Sequence, residues 1–325
     1  MKTQFFALLA TGLLLFSGCK KDADLLQIDC EEPAAQHALA NFWARNGAPV
    51  QKFTFTSSTY PPQTTAKGNQ LYVGSTSFAY TDGSALSANA TIELEFREIE
   101  TKAEMILSNM PTSSNGMPLE SGGEYYFKVT EGNKRLRMTP QGRIYMATAY
   151  RSSSTRNSGM QLFFGQNTPN GFNWLLPSSQ DVVSGVGPSQ DTVTATGTLF
   201  QYIFTLNNDS LGWVNCDAFI NATPRTPVFI TANGTNMTKD NTAMYLVFKR
   251  RNSVVSTGIL SFGSGLTLQL PNVPVGEEVD AVVLHKFNDK YYFGKQSATV
   301  AANQVIAPPI REVTEAELVA EIQQL

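Results

Sequence analysis

The chain is poor in the residues that most often do chemistry. Among its 325 residues are three cysteines and two histidines, and Cys30, Cys216, His37 and His285 each stand alone. Zinc needs three or four Cys, His or acidic ligands converging, usually with two close in sequence. No such pair is present, so neither a metal nor any other cofactor is expected. No serine sits in a Gly-x-Ser-x-Gly turn, and a Ser–His–Asp arrangement would have to use His37 or His285. Gly263-Ser264-Gly265 lies in a hairpin pattern with no helix after it, unlike a phosphate-binding loop. Charge is scarce too: 16% of residues, against ~25% in ordinary soluble domains. The net charge of −3 offers no basic surplus to displace counterions, which excludes a general nucleic-acid binder.

Serine and threonine fill the gap, with 25 Ser and 32 Thr. Hydrophobic residues at 42% suffice for packed cores and exclude global disorder. The length allows two or three domains.

The N-terminus reads Met1-Lys2, an apolar run from Phe5 to Phe16, then Ser17-Gly18-Cys19. A positive start, about a dozen apolar residues and small residues before a cut make a secretory signal. The run is too short to span a ~30 Å hydrocarbon core as a permanent helix. Leu15-Phe16-Ser17-Gly18-Cys19 resembles the bacterial lipobox. That resemblance implies cleavage after Gly18 and acylation of Cys19, with several chains anchoring far more firmly than one. Removing residues 1–18 takes Lys2 and no acid, which moves the net charge from −3 to −4. The following Lys20-Lys21-Asp22-Ala23-Asp24 resembles the signal that sends Bacteroidetes-type lipoproteins to the outer face of the outer membrane. A generic tether is the alternative reading of Lys20, Lys21, Asp22 and Asp24.

Residues 19–48 read as a lipidated tether with a short helix across Pro33–Trp43, where Ala34, Ala35, Ala38, Leu39 and Phe42 fall at helical spacing. From Val50 short alternating runs begin. In Thr91–Phe96, Ile92, Leu94 and Phe96 face one side while Glu93, Glu95 and Arg97 face the other, as in a sheet with one buried face. Thr101–Leu107 suggests one helical turn. Gly122-Gly123 then introduces strands over Tyr125–Thr130 and Arg135–Met138. The stretch TIELEFREIETKAEMILSNMPTSSNGMPLESGGEYYFKV, with an aromatic before the Asp82-Gly83 turn, resembles the ZU5-like β-sandwich of Bacteroidetes lipoproteins over about residues 50–140. Some ZU5 proteins cut themselves at His-Phe-Ser. Neither histidine here is followed by Phe-Ser, so that route is disfavoured.

The expected architecture is therefore all-β. A ZU5-like sandwich occupies 49–150 and a Ser/Gly-rich inter-domain segment 151–197. An immunoglobulin-like sandwich follows over 198–310, with a C-terminal helix over 311–325. The segment Leu211-Gly-Trp-Val-Asn-Cys-Asp217 recurs in the same lipoprotein class and reads as the junction before the last domain. Seven short strands are expected after it: Val228–Ile230, Met244–Phe248, Val254–Leu260, Leu266–Leu270, Val279–Leu284, Tyr291–Phe293 and Ala298–Ala301.

Few side chains suggest a site. Asn207-Asn208-Asp209 and Asn233 to Asp240 offer oxygens for calcium, although ordinary turn chemistry explains both. Glu93 and Glu95 share a strand face, which would suit an acid–base pair; a solvated face explains them as well. His285 reads as a strand-end histidine. Cys30 and Cys216 either pair, in an oxidising compartment, or remain a free thiol and a small packed residue. Asp191-Thr192-Val193 and Asp209-Ser210-Leu211 resemble the O-glycosylation motif of exported Bacteroidetes proteins, which implies modification at Thr192 and Ser210. Tyr291 and Tyr292 are candidates for stacking on sugar rings. The sequence thus points to an outer-membrane, lipid-anchored, non-enzymatic protein, on the periplasmic or the cell-surface face, that is structural or binds proteins of the envelope. A glycan-binding or adhesion lipoprotein is the alternative, and an enzyme without a recognisable motif the third reading. Cys19→Ala should abolish metabolic incorporation of labelled palmitate and release the protein from the membrane fraction. Undiminished labelling would refute the lipid anchor.

Overall fold

The computed structural model describes residues 37–149, 157–168, 171–177, 186–188, 192–194, 197–199, 201–206, 211–234, 236–262 and 265–325. The chain opens with α1 (Ala40–Asn46), β1 (Gln51–Thr56), β2 (Gln63–Thr64), β3 (Gln70–Val73), β4 (Phe78–Tyr80) and β5 (Thr91–Ile99). It continues through α2 (Lys102–Leu107), β6 (Ser113–Ser114), β7 (Met117–Glu131), β8 (Lys134–Met138), β9 (Ile144–Ala149), β10 (Gln161–Thr168) and β11 (Gly171–Leu175). Next come β12 (Val186–Pro188), β13 (Thr192–Thr194), β14 (Gly197–Leu199), β15 (Gln201–Leu206) and β16 (Gly212–Phe219). The remainder is β17 (Arg225–Asn233), β18 (Thr242–Phe248), β19 (Val254–Val255), β20 (Ile259–Phe262) and β21 (Gly265–Pro274). It ends with β22 (Glu278–Phe287), β23 (Lys290–Thr299), β24 (Gln304–Ile306), β25 (Ile310–Val313) and α3 (Glu315–Gln323). The protein is all-β, with three short helices. Among the described residues no helix is long and apolar enough to cross a membrane.

Four sheets enclose three cores. A nine-stranded sheet runs β1-β5-β7-β16-β10-β11, with β4, β6 and β8 attached beside it. The sheet β12-β15-β9-β3-β2 lies across from it. Ile92, Leu94, Phe96, Tyr125, Phe127, Met146, Phe204 and Val214 fill the space between them. The second sandwich pairs β20-β21-β17-β24 with β19-β18-β22-β23-β25 over Val228, Ile230, Met244, Leu246, Leu268 and Val283. A third core joins the two sandwiches. Tyr245, Val247, Val282 and Leu284 point away from the second sandwich's own core and meet Ile99, Leu119, Phe163 and Trp174 of the nine-stranded sheet. Leu39 and Phe42 of the α1 region, Met105 and Ile106 of α2, and Leu318 and Ile322 of α3 complete it.

The period-two rule explains this arrangement. Successive side chains of a strand face opposite ways, so a strand between two cores is apolar on both faces along its middle, with Thr242, Asp280 and His285 kept toward the strand ends. All seven residues of β18 are buried, as are Val279 to His285 of β22. The alternating strand β5 has one face inside and Glu93, Glu95 and Arg97 outside, as expected. Both α2 and α3 begin with capping boxes, Thr101 with Glu104 and Thr314 with Glu317, which satisfy the first free N–H groups of each helix.

Three expectations need correction. Within the expected inter-domain segment 151–197, Gln161–Thr168 and Gly171–Leu175 are β10 and β11, which extend the nine-stranded sheet. The Leu211–Asp217 junction is instead β16, a strand inside that sheet held between β7 and β10. The first sandwich therefore extends past 150 to Phe219, and the second begins near β17. Tyr291–Phe293 and Ala298–Ala301 lie along one continuous strand, β23, apart from its last two residues. The helix expected over Pro33–Trp43 is described as α1 from Ala40, where Phe42 and Leu39 are buried. Leu318→Ala should cost about 2–5 kcal/mol of stability. Because Leu318 packs in the shared core, unfolding followed by heating should remain one transition. A separate early transition would show that the sandwiches melt independently.

Candidate functional site

The principal opening lies where the two sandwiches meet. Its two adjoining hollows have volumes of about 290 and 560 Å³. One wall comes from Phe172 and Asn173 of β11 with Asn115, and the other from Ser256 to Leu260, leading into β20. Trp43, His37, Asn109 and Lys239 close the far end. Among the described residues each bordering strand ends its sheet, β11 pairing with β10 and β20 with β21. The walls are firmly seated. Asn115 and Asn173 exchange hydrogen bonds, from Asn115 N–H to Asn173 Oδ1 (2.8 Å) and from Asn173 Nδ2 to Asn115 Oδ1 (3.0 Å). Trp174 donates from Nε1 to the Pro111 carbonyl (2.9 Å), and its ring meets Phe172 edge-on at 4.9 Å between centroids. A side chain at Gly165 would collide with the Phe172 ring, so glycine there makes the ring's seat. Opposite, Tyr245 donates to Asn109 Oδ1 (2.7 Å) across the seam.

A second constellation is buried in the same seam. On β7 and β16 the register passes from Glu124 opposite Asn215 to Ser121 opposite Asp217, so Gly122 and Gly123 together face Cys216 in a β-bulge. Gly123 has φ +134°, and a side chain there would strike the Tyr125 hydroxyl. The bulge gathers Ser121, Glu124, Asn215 and Asp217 inside the protein. Asn215 donates from Nδ2 to Asp217 Oδ2 (2.6 Å), and Ser121 donates to Asn215 Oδ1 (3.2 Å). Both Glu124 oxygens and Asp217 Oδ1 meet no donor. Burial pushes the Glu124 and Asp217 carboxyls well above the usual carboxylate range, and the nearby Asp217 raises Glu124 further. Both acids therefore favour the protonated form far more than an exposed carboxyl does. Asn252 roofs the bulge from the second sandwich, donating from Nδ2 to the Ser121 and Glu100 carbonyls (both 2.9 Å).

Glu98, on the same sheet, is the opposite case. Its Oε1 accepts from Gln51 Nε2 (2.8 Å) and Lys67 N–H (3.0 Å), and its Oε2 from Thr65 Oγ1 (2.7 Å) and Asn69 Nδ2 (2.8 Å). Three of these donors fix the loop before β3 to β5, and Gln51 adds a tie from β1. Glu98, Glu124 and Asp217 were not singled out in the sequence. The signal available was their position inside strands whose neighbours are apolar.

The residues singled out do not converge. Glu93 and Glu95 lie on the outer side of β5, with Lys52 at 2.8 Å from Glu93 and 3.5 Å from Glu95, and Lys128 at 3.6 Å from Glu95. His285 lies within β22 rather than at its end; its Nδ1 is 3.2 Å from the Asn241 carbonyl and 3.1 Å from Thr242 Oγ1, and burial lowers its pKa. His37 accepts from Leu39 N–H (3.1 Å) ahead of α1, and burial likewise lowers its pKa. In the Asn233–Asp240 loop, Asn241 closes the turn through Thr238 N–H and the Asn236 carbonyl (both 2.8 Å). Among the described residues no three His, Cys, Asp or Glu side chains gather as metal ligands. Cys216 is a buried free thiol, and burial raises its pKa. Tyr291 is not available for stacking: it is 7% exposed, packs on Phe42, and donates to Glu315 Oε2 (3.1 Å). Tyr292 is half-buried against the His285 ring. Thr192 opens β13. Cys19, Lys20, Lys21, Asp22, Asp24, Cys30, Ser210 and the Asn207–Asp209 loop lie outside the described residues.

No protein-family model matches this sequence, and no curated protein matches it.

These two buried acids set a pH dependence. Their folded pKa values are raised above unfolded values near 4, so the folded state holds protons that the unfolded state releases. Their contribution is fully present below about pH 4 and is lost as pH rises toward the folded values. Glu124→Gln should flatten the fall in stability above pH 4 by up to about 1.4 kcal/mol per pH unit, the worth of one proton. Urea unfolding of both proteins between pH 4 and 8 measures this, and parallel profiles would refute it.

Proposed function

We propose that this protein is a lipid-anchored, non-enzymatic binding module of a bacterial outer membrane, whose working site is the groove between the sandwiches. The lipobox-like Leu15–Cys19 segment and the ZU5-like stretch of Bacteroidetes lipoproteins support the location. One observation carries the binding role: the groove runs between β11 and β20, each ending its sheet among the described residues. A free edge is a template for strand addition, in which backbone groups give affinity and alternate side chains give selectivity. An extended segment of an envelope protein fits this chemistry. Its backbone would pair with β20, and its side chains would meet Phe172 on one wall and Ile259 and Leu260 on the other. The shared core holds the two walls in fixed relation, so the site needs no closure before binding.

The glycan-binding reading has its own support, in two exposed tyrosines on the outer sheet of the first sandwich.

A photo-crosslinker at Gln269, exposed on the groove wall, should trap one protein adduct in native membranes. Leu260 is 44% exposed, so Leu260→Lys places a charge on the edge without touching a core. It should reduce the adduct about tenfold, a change of roughly 1.4 kcal/mol. An unchanged adduct would remove β20 from the interface.

A further inference from the structure

On the sheet β12-β15-β9-β3-β2, alternate residues point away from the core and form the protein's outer surface. From β2 across to β15 the outward set is Thr64, Gln70 with Tyr72, Tyr145 with Ala147, and Ile203 with Thr205. None carries a charge. Tyr72 and Tyr145 are direct partners across β3 and β9, 44% and 46% exposed, and Ile203 beyond them is 38% exposed. Arg143, just beyond Tyr145 on the same face, is folded back onto the Pro140 and Gly142 carbonyls.

The two tyrosines differ from the rest. Among the described residues, neither ring packs on another aromatic and neither hydroxyl has a hydrogen-bond partner. The other described tyrosines have one or the other: Tyr60 packs on Phe55 and Phe78, Tyr80 bonds Glu131, Tyr126 packs on Trp213, and Tyr245 bonds Asn109. Tyr125 and Tyr291 make both kinds of contact, Tyr202 accepts from Asn157, and Tyr292 packs on His285. Two adjacent unpartnered rings, at the centre of an uncharged stretch of sheet, form a flat platform.

We propose that this face is a binding platform for a neutral polysaccharide, with Tyr72 and Tyr145 stacking on successive sugar rings. The inference rests on the glycan-binding reading above and assigns that reading its site. Charge decides the class of occupant. Elsewhere the surface carries ion pairs such as Lys52–Glu93, Arg250–Glu278 and Lys290–Glu312, whereas among the described residues of this face the one charge, Arg143, is turned onto backbone carbonyls. A sugar ring presents C–H groups from its face and hydroxyls from its rim. The tyrosine rings match the first, and Thr64, Gln70 and Thr205, with the two free phenolic hydroxyls, match the second. A protein partner would need roughly 800 Å² on its side, built around a densely apolar centre. Here threonine, glutamine and alanine surround two rings and one isoleucine.

The test uses the full-length protein in detergent, with affinity electrophoresis in gels containing a β-glucan, a mannan, a xylan or the acidic polymer alginate. At least one neutral polymer should retard the wild type, and alginate should not. Tyr72→Ala/Tyr145→Ala should weaken the retardation about tenfold or more, while Tyr72→Phe/Tyr145→Phe, which keeps the rings, should hold most of it. Val305→Ala, exposed on β24 of the second sandwich, should leave it unchanged. Both positions are exposed, and matching thermal transitions would establish that the variants fold. If the wild type binds and the alanine pair binds equally well, the platform is overturned and the glycan-binding reading stands with its site elsewhere. If no polymer retards the wild type, both fall. A protein adduct trapped at this face and lost with the alanine pair would overturn the glycan assignment in favour of a protein.

Discussion

The strands β18 and β22 at the centre of their sheet are buried on both sides, and the molecule is arranged around that condition. A strand with water on one side may alternate, but one between two cores is apolar on both faces along its middle. Met244, Leu246 and Phe248 serve the second sandwich's own core, while Tyr245 and Val247 serve the core shared with the first. A domain with such a sheet would expose a broad apolar surface if it stood alone. The covering layer is composite: α1 and α3 from the two ends of the body, α2 from between β5 and β6, and the inner face of the nine-stranded sheet. Polar groups are confined to the sheet's rim, where Asp280 meets Lys249 at 3.3 Å and Lys295 at 3.8 Å.

The buried acids follow from the same seam. Glu98 meets four donors, three from the loop before β3 and one from Gln51 of β1. Glu124 lies under the contact between sandwiches, where nearby groups are carbonyls, an amide already engaged, and a second acid. A carboxyl in such a place keeps its proton, because ionisation without a partner in a low-dielectric interior costs more than holding the proton. The glycines of the bulge permit this crowding, since a side chain at Gly123 would displace Tyr125.

Local pattern was legible in the sequence and distant pairing was not. The alternation at Ile92, Leu94 and Phe96 revealed β5 and its inner face, and the Thr101–Leu107 stretch revealed α2. The apolar run of β22 was recognised as a strand. Its second buried face was not, because a continuous run does not say what lies on either side. The sequence reads as an inter-domain segment over 151–197 and as the start of the second sandwich from 198, because β16 finds its partner in β7, roughly ninety positions earlier in the chain, where no local cue points. The same limit hid the site. Tyr291 and Tyr72 both sit in short apolar strand segments, and exposure is decided by whether a helix such as α1 lies against them.

The first and last helices meet. Arg45 of α1 reaches Glu315 at 2.7 Å, and Asn46 donates to the same carboxylate at 2.9 Å. Any pull from the proposed anchor would enter the body through the segment before His37, and so through α1. It would act on the interlocked helices at the middle of the molecule rather than peel an edge strand from one end. Shear across a packed helical layer must break many contacts together, whereas unzipping breaks a ladder one rung at a time. A protein attached in this way resists force from its tether while its outer sheets stay free to bear load from whatever they hold.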